Sequence, residues 1–595
     1  MTCLRPPIVV AAALVAAWVL LAGSALAGQD PATDPHGATR RVTLSIVGTT
    51  DLHGRVFPNG GRGGLALLGG YLRNLRAARQ ADGGAMLLLD AGDTFEGGTA
   101  SNISEGALVV DAYNALGYDA LAIGNHEFDY GAVDNAAGKS ATPAGDRTPD
   151  MRGALKAAAA RARFPFLAAN LIDAATGRPV EWPNVRPSTI VDTAGLRVGI
   201  VGVMTRYGLT RTLAANVQGL DTTALEPAVE SEARRLRRRG ADLVVMLAHA
   251  GGACFRFDDP TDLSSCDDDA EIFQLARRLP PGLVDAIVAG HTHRAVAHEV
   301  AGIPIVQAYS RGSAFARVDL TVERGAGVVS ARLFPPQAVC AAVAPDGWSC
   351  ANGGDTPATY EGTPVRPDQS IVVAMQPALD RVNRWRAEPL GVTLETPLPR
   401  NPDGIESPLG NLFADALLAA APGADLAIGM GGRRAGLRRD LPAGALTRGP
   451  LYDVFAFDNR IVELAMTGAQ VRQALARELT RELARSLRGI PSVSGIRVRV
   501  ACDGDRRELE IVRPSGTPIG PDETLVVATT DFFARRAARD AVAVPPAAVQ
   551  ASAPLVREAV ADWVGTRGGR LGAADLVTPP RWETPERGAC FPADR

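Results

Sequence analysis

Five short apolar runs in the first half of the chain each end on residues that can hold a cation. The run 42–50 leads into Asp51-Leu52-His53-Gly54, and 86–91 into Gly92-Asp93. The run 120–124 leads into Asn125-His126-Glu127-Phe128-Asp129, 243–248 into His249, and 286–290 into His291-Thr292-His293. Five of the seven histidines stand at these run ends. A single imidazole at the end of a strand is ordinarily a structural residue. Five of them, gathered with Asp51, Asp93 and Asn125, need positive charge to neutralise and orient them. Nitrogen and oxygen donors without sulfur suit Zn, Mn or Fe better than Ca. Their number suits two divalent ions about 3.5–4 Å apart that share one bridging carboxylate.

The elements that must carry these groups alternate in the α/β manner. Runs with strand character at 42–50, 86–91, 120–124, 166–169, 198–203, 243–248 and 286–289 are separated by helical patterns at 65–79, 107–116, 152–163 and 225–239. Ligands of such sheets gather beyond the carboxyl ends of the strands, where all five polar motifs fall. The stretch 334–368 is rich in Pro, Gly and Ala and reads as a linker; 371–387 reads as a helix bridging two lobes; a second α/β segment begins at 390. The expected domains are 1–27, a signal peptide; 40–335, the cation-binding lobe; 336–388, the linker and bridging helix; and 389–595, a second lobe.

Composition narrows the function class. In 595 residues, 46% are hydrophobic and 21% charged, as in globular proteins. The formal net charge of −3 gives no basic field, so a nucleic-acid polymer is not an expected partner. Arg5, the apolar run 8–21 and Ala25-Leu26-Ala27 form the pattern of a cleaved signal peptide, with an uncleaved anchor as the alternative. The chain is therefore expected to be exported, periplasmic or extracellular, with no stable membrane insertion after cleavage. Six cysteines remain beyond Cys3. An even number in an exported chain suggests disulfides; local spacing favours Cys254–Cys266 and Cys340–Cys350, which leaves Cys502–Cys590.

The ordered motifs Asp51-x-His53, Gly92-Asp93, Gly124-Asn125-His126-Glu127, His249 and Gly290-His291-x-His293 resemble the signature of the calcineurin-like metallophosphatases. The fuller forms Thr50-Asp51-Leu52-His53-Gly54 and Gly124-Asn125-His126-Glu127-Phe128-Asp129-Tyr130-Gly131 resemble the 5′-nucleotidase family. The resemblance implies an α/β fold: an N-terminal four-layer α/β/β/α metallophosphoesterase sandwich followed by a C-terminal α/β substrate-binding domain. It assigns Asp51, His53 and His293 to one metal, Asn125, His249 and His291 to the other, and Asp93 to the bridge. His126 faces the phosphate, with Asp129 orienting its ring. The implied reaction is attack of metal hydroxide on a phosphoester, with His126 assisting the leaving alkoxide.

The second lobe carries the resemblance more faintly. Leu409-Gly410-Asn411-Leu412 with Asp415 resembles a helix near the lobe boundary, and Gly431-Gly432-Arg433-Arg434 a Gly-Gly-x-Arg loop whose Arg434 meets substrate. Phe455-Ala456-Phe457-Asp458-Asn459 and Asp531-Phe532-Phe533-Ala534 resemble the elements that stack a base between Phe457 and Phe532, with Asn459 beside it. The pattern also departs from the family. Gly429 and Ile405 stand where Asn and Arg are usual, and Arg535-Arg536-Ala537-Ala538-Arg539-Asp540 replaces a Gly-Gly-Asp turn, which displaces Asp540. Hydrolysis of nucleoside 5′-monophosphates is the leading expectation. The alternatives are a 2′,3′-cyclic-nucleotide or nucleotide-sugar hydrolase, a sulfur-ester hydrolase, and a non-catalytic secreted ligand-binding relative. Loops at 134–150 and within Cys254–Cys266 start beside the proposed chemistry.

Overall fold

Strand alternation in the first lobe sorts its side chains into three cores. In the strand Leu243–His249, Leu243, Val245 and Leu247 enter one core, while Val244, Met246 and Ala248 enter another beneath the helices Leu225–Arg238 and Glu271–Arg278. In Arg41–Thr49, Val42, Leu44 and Ile46 join the core of Leu243, while Val47 joins a third core beneath Leu65–Asp82 and Ala107–Leu116. Successive strand residues point to opposite faces, so a run apolar on both faces must be covered on both. The result is helix, sheet, sheet, helix, as the resemblance implies. Each fully buried aliphatic side chain in these cores contributes about 1.5–3 kcal/mol relative to exposure.

The computed structural model describes residues 41–133, 150–323, 325–351, 357–400, 406–429, 436–455, 459–483, 490–504, 506–540, 542 and 553–584. The signal-like segment 1–27 and most of the 134–150 loop lie outside them. One sheet has seven strands, ordered Gly327–Ala338, Ala314–Glu323, Arg41–Thr49, Ala85–Asp90, Ala120–Ala122, Phe166–Leu167 and Val185–Arg186. The other has six, ordered Ala295–Val300, Ile303–Ala308, Ala286–Ala289, Leu243–His249, Leu196–Met204 and Ser188–Thr193. Arg41–Thr49, Ala85–Asp90 and Ala120–Ala122 run parallel, as do Leu196–Met204, Leu243–His249 and Ala286–Ala289. Parallel order brings the five polar run ends to the carboxyl edges of the two sheets.

The Pro-rich stretch after the first lobe is not loose chain. Its beginning lies in the edge strand Gly327–Ala338, and Val339, Ala358 and Val365 are buried in the first lobe's core. Proline is tolerated there because the strand is at the sheet edge. The bridging helix spans Gln369–Arg386, with the Asp368 side chain accepting from Ser370 N as its cap. Ile371, Met375 and Ala378 enter the first lobe's core, and Val382 packs with Ile103 and Tyr452. At the helix end, Arg386 makes a two-pronged ion pair with Asp453 at 2.9 and 2.8 Å, and Thr99 Oγ1 donates to the same carboxylate at 3.1 Å. Asp453 of the second lobe thus fastens both the bridging helix and an element of the first lobe.

The second lobe has a four-stranded sheet ordered Ile461–Thr467, Thr524–Thr530, Leu426–Ile428 and Val493–Ser494. Helices Pro408–Ala419 and Val556–Arg567 cover one face; Gly468–Leu483 and Asp531–Arg539 cover the other. The Thr530 side chain caps Asp531–Arg539 by accepting from Phe533 N. That start buries Phe533 and turns its neighbour Phe532 outward. Cys254–Cys266 and Cys340–Cys350 are bonded. Cys502 is also in a disulfide, and its expected partner Cys590 lies outside the described residues. Among the described residues, no helix is long and apolar enough to cross a membrane.

Candidate metal centre and active site

The polar run ends meet in one buried cluster, held by a strained backbone. Asp51, His53, Asp93, His291 and His293 all have positive φ, between 49° and 75°. Residues with side chains pay about 1–3 kcal/mol each for such conformations and keep them only where the surroundings fix them. The surroundings are visible: Asp51 N donates to Gly92 O (2.8 Å), His53 N to Asp93 O (3.0 Å), Arg311 N to Asp51 O (2.7 Å) and His291 N to Asp51 Oδ2 (3.0 Å). Gly124 and Gly290 permit the close approach. A Cβ at Gly124 would overlap Asp93 Oδ1, and one at Gly290 would overlap Thr50 Oγ1.

The side chains form two groups that share Asp93. Asp51, His53, Asp93 and His293 bring one ligand atom each within 4.8 Å of one another, and so do Asp93, His249 and His291. His53 Nε2 lies 3.0 Å from His293 Nε2, which lies 3.3 Å from Asp51 Oδ1. His249 Nε2 lies 3.1 Å from Asp93 Oδ2, 3.2 Å from Asn125 Oδ1 and 3.1 Å from His291 Nδ1.

The hydrogen-bond chemistry tests whether cations fit. His53 Nδ1 faces the Glu96 carbonyl at 3.0 Å and His249 Nδ1 the Ala91 carbonyl at 2.8 Å. A carbonyl only accepts, so each Nδ1 carries the proton and each Nε2 presents a lone pair. Those lone pairs converge on other acceptors, and Asp51 Oδ1 is buried with no hydrogen-bond donor. Converging lone pairs without donors are what a cation resolves, and the N/O donor set suits a divalent transition metal.

Electrostatics agree for two of the rings. Burial pushes the His53 and His291 imidazoles down to about 4, which leaves them neutral. Burial opposes a proton on His249, but Asp93 outweighs it and raises the ring to about 9, so with no cation present its Nε2 also carries a proton, which a cation beside Asp93 would displace to expose the lone pair. Burial alone would raise Asp93; the imidazoles of His249 and His126 overcome it and hold the carboxyl well below its usual range.

His126 stands beside this cluster with a different environment. Its Nδ1 lies 2.5 Å from Asp129 Oδ2, and Thr212 Oγ1 donates to Asp129 Oδ1 at 2.6 Å. Burial would lower the ring, but the Asp129 carboxylate raises it to about 11. Its backbone N also donates to Asp93 Oδ1 at 2.8 Å, which ties the imidazole to the shared carboxylate. His126 and Asp129 line a cleft of about 480 Å³ whose far wall comes from the second lobe and includes Asn459 and Phe532.

Comparison with known proteins identifies the family. Residues 44–295 match the calcineurin-like phosphoesterase family and residues 390–539 match the 5′-nucleotidase C-terminal domain. The chain is a calcineurin-like phosphoesterase of the 5′-nucleotidase family. It is 26% identical over 518 residues to Protein UshA of Yersinia enterocolitica, covering 82% of this chain and 85% of that one. It is 26% identical over 465 residues to a 5′-nucleotidase of Vibrio cholerae, covering 73% and 75%. A 5′-nucleotidase precursor from Thermus thermophilus has the same fold, with a TM-score of 0.52 at 22% identity over 92% of this chain and 100% of that one. Members of this family are metal-dependent phosphoester hydrolases, and the chain is one of them.

The 5′-nucleotidase-type residues of the second lobe fare unevenly. Phe532 is 46% exposed on the cleft wall. Asn459 lines the cleft while its Nδ2 donates to Asp531 Oδ1 at 2.6 Å. Arg434 and Phe457 lie outside the described residues. Asp540 is not brought to the cleft. Its carboxylate pairs with Arg481 at 2.6 Å and its carbonyl accepts from Arg477, because the arginine-rich helix runs on where a turn would have carried it inward. Asp415 of the boundary helix makes a two-pronged pair with Arg581 at 2.8 and 2.9 Å. Gly429 abuts Ala414, where a Cβ would come within 2.9 Å, so Asn at this position would push against the helix Pro408–Ala419.

Three positioning groups escaped the motif reading. Glu127 is buried and accepts from Gly124 N (2.7 Å), Asp93 N (2.9 Å) and Thr94 N (2.6 Å). Burial and the Asp93 charge raise it to about 7, while the backbone donors pull the other way. Asp90 accepts from Thr49, Tyr113, Thr94 and Gly92 N, bracing the same loop. Thr212 braces Asp129. Glu127 and Asp90 lie inside the quoted motifs, so an acidic residue at the base of each ligand loop was the available signal. Thr212 had none.

Proposed function

We propose that the chain is an exported, dinuclear-metal phosphohydrolase that releases phosphate from nucleoside 5′-monophosphates. The observation that carries this reading is Asp93 shared by two acceptor groups, with His126 beside them and an aromatic-walled cleft. Asp51, His53 and His293 would hold one ion, Asn125, His249 and His291 the other, and Asp93 would bridge. Bound divalent cations of this kind neutralise phosphoryl oxygens and acidify water.

The chain's own side chains do the rest. Asp129 occupies His126 Nδ1, so Nε2 is the atom left to give a proton to the departing alkoxide. Thr212 keeps Asp129 from rotating away. Phe532 offers a face to the base, and Asn459, Arg434 and Phe457 are the expected further contacts to the organic part. Asp540, held by Arg481, is not assigned a substrate role. Export is supported by the signal-like N-terminus together with the disulfides Cys254–Cys266 and Cys340–Cys350.

The test is a hydrolysis screen of the purified chain loaded with Mn or Zn. Nucleoside 5′-monophosphates should show the highest kcat/KM. A higher value for a 2′,3′-cyclic nucleotide, a nucleotide sugar or a sulfur ester would replace the assignment.

A further inference from the structure

The cleft beside His126 has more positive charge than a plain nucleoside monophosphate uses. Its acids, Glu96 and Asp129, cluster on His126, with their ligand atoms and the imidazole within 4.8 Å of one another. Three arginines share the rest of its lining with neutral residues. Arg535 and Arg536 come from Asp531–Arg539, the helix that turns Phe532 outward, and Arg211 comes from the facing wall, next to Thr212.

The three cations are not equally engaged. Arg536 pairs with Glu478 at 2.7 Å, with its guanidinium 5.7 Å from the Phe532 ring. Arg535 reaches Asp531 only at 3.4 Å and its side chain is 45% exposed. Asp531 Oδ1 accepts from Asn459 and from Arg460 N, and Arg535 reaches only the other oxygen, Oδ2, at that long distance. The Arg211 guanidinium has no hydrogen bond or ion pair among the described residues; only its backbone carbonyl is used, by Asn125. One guanidinium without a partner among the described residues, Arg211, and one held only by a long ion pair, Arg535, therefore line the same cleft as the exposed face of Phe532.

We infer that the cleft selects a leaving group that carries a second phosphate on its sugar, as in a nucleoside bisphosphate. The base would lie on Phe532 and the ribose 2′- or 3′-phosphate between Arg211 and Arg535. The inference rests on the proposed nucleotide hydrolysis and specifies its substrate class. A diphosphate fits less well, because its extra charge sits beside the scissile bond, against Glu96 and Asp129. Guanidinium groups suit phosphate through paired, charge-assisted hydrogen bonds. In the reaction a water oxygen bonds to the 5′ phosphorus and the bond from phosphorus to O5′ breaks. O5′ takes the His126 proton, and the second phosphate leaves with the product.

The test compares the metal-loaded full chain with Arg211→Gln, Arg535→Gln and Arg535→Lys. For each protein, kcat/KM is measured for a nucleoside 5′-monophosphate, the matching 3′,5′- and 2′,5′-bisphosphates and the 5′-diphosphate. The bisphosphate that fits should be favoured over the monophosphate by about tenfold or more, which corresponds to about 1.4 kcal/mol. That ratio should fall about tenfold in each Gln variant, recover partly in Arg535→Lys, and shrink as salt rises. Ratios taken within one protein cancel any general loss of folding. A ratio near one in the unmodified chain, a ratio unmoved in both Gln variants, or an equal preference for the diphosphate would overturn the inference.

A second readout separates this from the nucleotidase reading. With an aryl phosphate as reporter, a nucleoside 3′- or 2′-phosphate should inhibit at least tenfold more tightly than the nucleoside, and Arg211→Gln and Arg535→Gln should abolish the difference. If the aryl phosphate turns over while nucleoside 5′-monophosphates do not, the nucleotidase reading fails and this inhibition ratio still decides the subsite. An inhibition ratio insensitive to both arginines overturns the subsite.

Discussion

Replacing Glu127 with Gln isolates how the shared carboxylate is held. Glu127 touches no cleft surface; it accepts three backbone N–H groups, from Gly124, Asp93 and Thr94. Gln has the same shape but one acceptor oxygen. Placed where Oε2 stands, that oxygen keeps Asp93 N and Gly124 N, and the amide NH₂ then faces Thr94 N. One buried donor is left unpaired, at about 1–3 kcal/mol, and the two retained bonds each lose charge assistance worth about 1 kcal/mol. The opposite placement strands two donors and costs more. The perturbed loop is the one that carries Asp93 at φ 56°, so the expected readout is metal retention. A positioning partner of this kind typically changes metal affinity 10–100-fold. Turnover of an aryl phosphate at pH 8, titrated with Mn or Zn, should show the midpoint moved up by that factor. At saturating metal, kcat should recover to within a few-fold. If Glu127→Gln keeps the unmodified midpoint, the three hydrogen bonds do not set the loop. If kcat stays lost with full metal content, Glu127 acts on the chemistry and the positioning argument fails.

Asp93→Asn removes the only carboxylate common to both acceptor groups, so metal analysis after dialysis should find most of the metal gone; two ions retained per chain would reassign the bridge. His126→Ala should retain its metals and lose about 10²–10⁴-fold in kcat with little change in KM, whereas loss of metal would make it a ligand. Phe532→Ala should lower the ratio of nucleotide to aryl phosphate kcat/KM by about 5–150-fold, from about 1–3 kcal/mol of stacking, and Phe457→Ala reports in the same way on the second expected ring face; an unchanged ratio would remove the base from that wall. Peptide mapping without reductant should recover Cys254–Cys266, Cys340–Cys350 and Cys502–Cys590, and a free thiol or any other pairing would refute that framework.

The difference between what was legible in the sequence and what was not follows from how each feature is encoded. Leu243, Val245 and Leu247 alternate with Val244, Met246 and Ala248 because two covered faces demand apolar residues at every position, and that demand is written in the local pattern. The ligands were legible for a related reason. Parallel strands deliver their ends to one edge, so Asp51, Asp93, Asn125, His249 and His291 needed no knowledge of distant contacts to be placed together. The strands Ala295–Val300, Ile303–Ala308 and Ala314–Glu323, which pair antiparallel with a neighbour near the sheet margins, were not singled out beforehand; they are joined by short connections and bring none of the ligand motifs. The packing of the Pro-rich stretch was hidden because Ala358 and Val365 are isolated apolar residues set among Pro, Gly and Thr, and the first-lobe core they join is built mainly from positions far earlier in the chain.

The second lobe was the hardest to read because its substrate wall is made by surface side chains, which obey no period. Whether Asp540 meets a ligand depends on where one helix ends. Arg535, Arg536 and Arg539 are good helix formers, and the glycines that would have ended the helix are absent, so Asp531–Arg539 runs on and Asp540 is captured by Arg481. The segment that continues this helix in place of the resembled turn also puts Arg535 and Arg536 on the cleft wall, so the departure from the family pattern at 535–539 bears on the leaving group inferred above, while the residues of the metal cluster come from the other lobe.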